Sequence, residues 1–202
     1  MRHLFAVQGE ANGLMQPLLV KRNLNDYYHL QPAIKQPLAV LDVILMRKDP
    51  PFDSVFLYST HLLDQAEKNG TLVVNKPQSL RDCNEKIFAT WFPQCCPPVL
   101  VAQDPGLLKE FFHQQGDVIF KPLDGMGGTS IFRVKRGDSN LNVILETLTH
   151  DGQQPIMAQR YVPEISQGDK RILLIGGKPI DYALARIPSK GEGRANLAAG
   201  GQ

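Results

Sequence analysis

Asp117-Val-Ile-Phe-Lys121-Pro-Leu-Asp-Gly125-Met-Gly127-Gly128-Thr-Ser-Ile-Phe-Arg133 is the stretch on which the reading of this chain turns. Val118, Ile119 and Phe120 form a short apolar run that predicts a buried strand. Lys121 follows at once and places an ammonium at the strand's end. Pro122 has no N–H to give a ladder, so regular pairing is expected to stop there. Gly125, Gly127 and Gly128 come next, and Ser130–Val134 alternates as a second strand should. Glycines adopt positive φ and let backbone N–H groups approach an anion closely, and a lysine supplies a point charge for phosphate oxygens. Strand, lysine, glycine-rich turn and strand therefore suit a hairpin that covers phosphates. A hairpin with no ligand has the same local sequence, and the loop alone leaves both readings open. It is not a P-loop, because no Gly-Lys-Ser/Thr follows, and it lacks the helix that a dinucleotide fingerprint requires.

The remaining chain of 202 residues, 43% hydrophobic and 21% charged, has the composition of a soluble globular protein of one large domain or two small ones. A net charge of +2 with no basic stripe argues against nucleic acid, and no apolar run argues for a membrane segment or a secretory signal. Cys83, Cys95 and Cys96 have no metal-binding spacing and leave an odd thiol, which suits a reducing cytoplasm.

Leu4–Val7 reads as a strand followed by a turn over Gln8–Gly13. Val40–Met46 reads as a buried strand ending in Arg47-Lys48-Asp49. Asp53 caps a helix that runs to about Asn69, with Val55, Ser59, Leu62 and Ala66 on one face, flanked by Phe56 and Leu63. Thr71–Val74 is the next strand, and strand, helix, strand predicts an α/β portion with a parallel sheet. Asn75–Asn84 reads as a polar connection, so the expected domains are 1–82 and 83–202. In the second, Asn84 is expected to cap a helix through Phe92 that carries Lys86. Val99–Val101 is a strand, and Asp104-Pro105 opens a helix that Gly116 closes. Ser139 precedes a helix over Leu141–Leu148. Ile156–Val162 is a strand, and Arg171–Ile175 with Pro179–Ala185 forms a hairpin. Antiparallel strands make this part α+β.

Several longer stretches then match a known family in order. Val43–Asp53, Asn75–Lys86, Phe120–Gly128, Met157-Ala-Gln159, Gly168-Asp-Lys-Arg171, Ala185–Pro188 and Asn196–Gly201 resemble bacterial glutathione synthetase, a member of the ATP-grasp ligases. The resemblance covers nearly everything from Leu38 onward. It implies an N-terminal α/β portion of the type that precedes ATP-grasp domains, followed by an α+β ATP-grasp domain, each incomplete. It implies ATP-dependent joining of γ-glutamylcysteine to glycine through an acyl phosphate, with Mg²⁺. Lys86 and Lys121 would contact the nucleotide, and Gly125, Met126, Gly127 and Gly128 would close over its phosphates. Gln159, Arg160, Tyr161 and Val162 match the segment along adenine, and Asp169 a ribose or nearby nucleotide contact. Arg171, Arg186, Arg194 and Asn196 match groups that hold peptide carboxylate and acyl phosphate, and Arg47 a peptide-substrate contact. The family is commonly a homo-oligomer.

The residue types suit that chemistry. A carboxylate is a poor electrophile, and phosphorylation gives it a good leaving group. Moving the phosphoryl is mainly positioning and charge neutralisation, for which arginine's bidentate fork is apt. Another ATP-grasp carboxylate–amine ligase, or a nucleotide-binding remnant without catalysis, are the competing readings. Relative to the family the chain is expected to lack the first strand–helix–strand and the carboxylates that hold Mg²⁺. The expectation is that these residues alone do not make glutathione.

Overall fold

The computed structural model describes residues 3–48, 51–189, 195 and 200. The chain divides into two compact units, 1–84 and 85–202.

In the first unit β1 (Leu4–Val7), β2 (Glu10–Met15) and β5 (Ile34–Pro37) form an antiparallel sheet in the order β1-β2-β5. A separate hairpin, β3 (Leu18–Val20) with β4 (Tyr28–Leu30), stands between β2 and β5 in sequence. The turn expected over Gln8–Gly13 is confined to Gln8 and Gly9, and the strand begins at Glu10 because Asn12 and Gly13 pair with Phe5 and Leu4. A 3-10 turn, Leu38–Val40, leads to β6 (Val43–Leu45). The strand expected over Val40–Met46 is thus shorter, and Val43 and Leu45 are exposed rather than buried.

Helix α1 (Ser54–Lys68) starts where Asp53 accepts a bond from the Phe56 N–H at 2.8 Å, as an N-cap should. Its buried residues are Phe56, Ser59, Thr60, Leu63 and Ala66, whereas Val55 is exposed, so the buried face is centred toward the expected flank of Phe56 and Leu63. The helix returns the chain to β7 (Leu72–Val74), which pairs parallel with β6. This strand–helix–strand unit holds the parallel pairing of the first unit; its other ladders are antiparallel. Ala11, Leu38, Leu63, Ala66 and Val73 form the core. The stretch read as a polar connection contains a helix, α2 (Pro77–Asp82), with Pro at its first position. Arg81 ties α2 to α1, donating to Thr60 at 3.0 Å and pairing with Asp64 at 2.8 Å.

Asn84 closes the first unit, residues 85–87 of the second are not helical, and Phe88–Trp91 and Pro93–Cys95 form 3-10 turns. In place of the expected helix through Phe92 the chain makes these short turns; Pro93 restricts the residue before it, and Phe92 is non-helical at φ −121° and ψ 63°. Lys86 consequently sits on a turn. Next come β8 (Val99–Ala102), α3 (Pro105–Gln115), β9 (Asp117–Pro122), β10 (Phe132–Lys135), α4 (Leu141–Thr149) and β11 (Ile156–Arg160). Asp104 caps α3 through the Leu107 N–H at 2.9 Å. Asn140 rather than Ser139 is the cap position of α4.

The four strands make one antiparallel sheet in the order β10-β9-β11-β8. Helices α3 and α4 cover one face. Leu108 and Phe112 of α3, Leu145 and Leu148 of α4, and Val118, Phe120, Val134 and Ile156 from the strands close the core. Each such side chain taken fully from water contributes about 1.5–3 kcal/mol before its entropic cost. Because strand side chains alternate, burying Val118 and Phe120 sends Ile119 and Lys121 to the other face. Finally β12 (Asp169–Ile175) and β13 (Lys178–Arg186) form a long hairpin with a register shift between Ile172 and Leu174. Among the described residues no helix is long and apolar enough to cross a membrane.

Candidate functional site

The helix-free face of the four-stranded sheet carries a cavity of about 310 Å³. Ile119 and Lys121 of β9 and Gln159 and Arg160 of β11 are among its lining residues. Tyr161, Val162 and Asp169 line it from the chain beyond, with Ile131 and Ile165 adding apolar wall. Ile119 stands opposite Gln159 in the β9–β11 register, and Lys121 opposite Met157.

Lys121 is partly buried and donates to Gln159 Oε1 at 3.0 Å. Burial, and then the nearby Lys86 ammonium, push its pKa below the ordinary value of 10.5. Two like charges are therefore held together near a cavity, an arrangement that an anion would relieve. Lys86, whose side chain is 14% exposed, pairs with Glu85 at 2.8 Å and reaches into the glycine-rich loop. Its Nζ donates to the Gly125 carbonyl at 2.6 Å and to that of Leu123 at 3.3 Å.

The loop itself is a run of turns. Gly127 and Gly128 have φ of 68° and 84°, and Ser130 also has positive φ, at 56°. Side-chain-bearing residues rarely adopt this region, which is why glycine stands at two of the three positions. Met126 is exposed, and Thr129 N–H donates to its carbonyl at 3.2 Å. The turn extends through Ser130, so β10 begins at Phe132, later than the expected start at Ser130.

Asp169 opens β12 and grips Arg186 of β13 in a bidentate pair, both contacts 2.6 Å. That bond raises the Arg186 pKa above its ordinary value. Gly168 permits the approach: its φ is 97°, and a Cβ there would lie 2.5 Å from the Arg186 carbonyl oxygen. Arg171 is exposed on β12, opposite Leu184, and is not among the residues lining the cavity. Arg194 and Asn196 lie outside the described residues. Arg47 belongs to the first unit, where it follows β6 at the rim of an apolar cavity of about 350 Å³ lined by Leu4, Met15, Leu38, Ile44 and Leu63. Among the described residues the structure thus joins Lys86 to the glycine loop. It brings Lys121, Gln159, Arg160, Tyr161, Val162 and Asp169 around one cavity.

Sequence reading missed the apolar wall and one polar pair. Ile119 was recoverable, since it shares the alternation of Lys121. Asp117 and Arg133 were not: their bidentate bond, at 2.9 and 2.7 Å, depends on β9–β10 register. Chemically the site offers cations at one end and an aromatic and aliphatic wall at the other, which suits an elongated anion with a planar apolar part.

Comparison with known proteins assigns a family to this arrangement. The model for the prokaryotic glutathione synthetase ATP-grasp domain matches residues 85–202, and that for the N-terminal domain of the same enzymes matches residues 1–81. Glutathione synthetase of Pseudomonas aeruginosa is 61% identical over 199 residues, which cover 98% of this chain and 63% of that one. The Escherichia coli K12 protein of the same name is 55% identical over 202 residues, 100% of this chain and 64% of that one. The chain therefore spans a little under two thirds of these relatives. Among solved structures, D-cycloserine synthetase DcsG superposes with a TM-score of 0.56 at 14% identity, over 80% of this chain and 64% of that one. D-alanyl-alanine synthetase A from Vibrio cholerae gives 0.52 at 13% identity, over 90% and 54%. At such identities these two speak for the fold alone; the ATP-grasp assignment comes from the family model over residues 85–202. With family models matching both units, the chain belongs to the prokaryotic glutathione synthetases, and its second unit is their ATP-grasp domain.

Proposed function

We propose that this chain supplies the nucleotide-binding part, and some of the peptide-binding part, of an ATP-dependent ligase that joins γ-glutamylcysteine to glycine. The observation that carries the reading is Lys121, a partly buried ammonium of lowered pKa held by Gln159 beside Lys86, at the mouth of a glycine-rich loop. Such a cluster is stabilised by a polyphosphate. In this reading Lys86, Lys121 and residues 125–128 take the phosphates, Gln159–Val162 take the base, and Asp169 takes the ribose or a nearby part of the nucleotide. Arg171, Arg186, Arg194 and Asn196 hold the reacting carboxylate and acyl phosphate, and Arg47 a peptide carboxylate.

The reaction follows from these charges. A carboxylate oxygen of γ-glutamylcysteine attacks the γ-phosphorus of ATP, the bond to the bridging oxygen breaks, and ADP leaves. The glycine amine then attacks the acyl carbon, loses a proton, and expels inorganic phosphate. Both steps gather negative charge, which fixed cations stabilise without reorganisation. Arg186 is already locked by Asp169, so its guanidinium is oriented before substrate arrives. The family also uses Mg²⁺. Among the described residues no three acidic, histidine or cysteine side chains come together as ligands, and both Asp169 oxygens are engaged by Arg186. Mg²⁺ commonly takes one or two protein carboxylates beside phosphates, and Asp169, the carboxylate among the described lining residues, is held by Arg186 and so does not fit that role.

Calorimetric titration with a non-hydrolysable ATP analogue tests the proposal. Saturable one-to-one binding that ATP competes away supports it; no binding refutes it.

A further inference from the structure

Arg133 does not line the cavity, yet it is tied to a residue that does. Its guanidinium carbon lies 3.3 Å from the centroid of the Tyr161 ring. Its Nε and Nη2 are held by the two Asp117 oxygens at 2.9 and 2.7 Å. The Asp117 carbonyl in turn accepts the Tyr161 N–H at 2.9 Å. Asp117 thus fixes the Tyr161 main chain directly and its ring through Arg133.

The register explains how one arginine reaches so far. Arg133 is opposite Ile119, which is opposite Gln159 across β11. The three share the cavity's face, and Asp117 and Tyr161 share it one pleat away. Arg133 crosses β9 diagonally, lies over Asp117, and ends on the ring. That geometry needs a planar, forked cation: guanidinium can stack on the ring while its edge donates two bonds to a carboxylate.

We propose that Arg133, held by Asp117, is a positioning residue that fixes the Tyr161 wall of the cavity and so strengthens binding of a nucleotide's base without adding to the hold on its phosphates. The proposal rests on the nucleotide reading of this cavity. A pair as exposed as this one contributes little to folding, so the cost of losing it falls on the wall it orders. Ordering the ring in advance removes an entropic cost that binding would otherwise bear.

The test uses the full chain, titrated with ATP and separately with inorganic tripolyphosphate, which has the charge but no base. For Arg133→Gln we expect ATP binding to weaken about two- to fivefold, in line with an exposed cation–π contact, while tripolyphosphate binding is unchanged. Arg133→Lys, which keeps the charge and loses the fork, should show the same selective loss and guards against a misfolded first variant. In a cycle with Tyr161→Leu the two effects on ATP should be less than additive. ATP affinity unchanged in both Arg133 variants overturns the inference and leaves the nucleotide reading intact. Equal weakening toward ATP and tripolyphosphate also overturns it, since that is a general charge or folding effect. If the unaltered chain binds neither ligand, the proposed function and this inference fall together.

Discussion

Replacing Lys121 by Met separates a phosphate-binding lysine from a structural one. Methionine has similar reach and no charge, so packing on the cavity face of β9 is largely kept while the ammonium is removed. In the folded chain that ammonium is penalised by burial and by Lys86, which lowers its pKa. It is compensated by the bond to Gln159 at 3.0 Å and by the nearby Glu85 carboxylate. Losing a strained charge and orphaning one amide oxygen nearly offset, so stability without ligand should change by about 1 kcal/mol or less. Affinity should change far more. A charge-assisted contact to phosphate contributes roughly 1.5–3 kcal/mol, or about 10- to 150-fold in Kd. Thermal unfolding reads both at once. Ligand at about 100 times the unaltered Kd stabilises by about 2.7 kcal/mol, and a thirtyfold weaker Kd leaves about 0.9 kcal/mol of that. The expected result is an almost unchanged melting temperature without nucleotide and a much smaller rise with it. Equal nucleotide-induced rises in the two proteins would refute the role given to Lys121, and a large drop without nucleotide would make it structural.

Other substitutions and conditions test neighbouring parts of the account. Gly128→Ala, at φ 84°, should slow nucleotide-dependent turnover in any active form and weaken ATP binding more than it lowers the melting temperature; a stability loss with normal binding would make the loop structural only. Phe120→Ala empties a fully buried position between α3 and the sheet and should destabilise by about 3–5 kcal/mol in denaturant titration. The pH dependence has two limbs. Asp117, held by Arg133 below its ordinary 3.8, contributes stability that is present above that value and is lost as pH falls through the lower folded value. Lys121 acts oppositely: stability rises as pH climbs from its lowered folded pKa toward 10.5, while nucleotide affinity falls over the same window. Parallel titrations of melting temperature and binding would show these trends diverging at alkaline pH.

What was legible in the sequence was local. Asp53 before α1 and Asp104-Pro105 before α3 announce themselves because a cap acts within one turn. The apolar run ending at Lys121 announces β9, since a strand's burial is written in its own residues. Elements that depend on partners were misread. Glu10–Met15 looks like a turn until Leu4–Val7 and Ile34–Pro37 flank it. Helix α2 is short and polar, and its bonds to Thr60 and Asp64 cross from another helix. The same division holds at the site. Lysines and glycines could be nominated by type, whereas the Asp117–Arg133–Tyr161 stack exists only in the register of three strands.

The central claim is that a nucleotide occupies the cavity between β9 and the segment after β11. Photolabelling the chain with 8-azido-ATP and mapping the modified peptide tests it most directly. The account predicts label within residues 159–165, beside Tyr161 and Val162, suppressed by excess ATP and weakened by Lys121→Met. Label confined to the first unit, or label in 159–165 that ATP does not suppress, would contradict it.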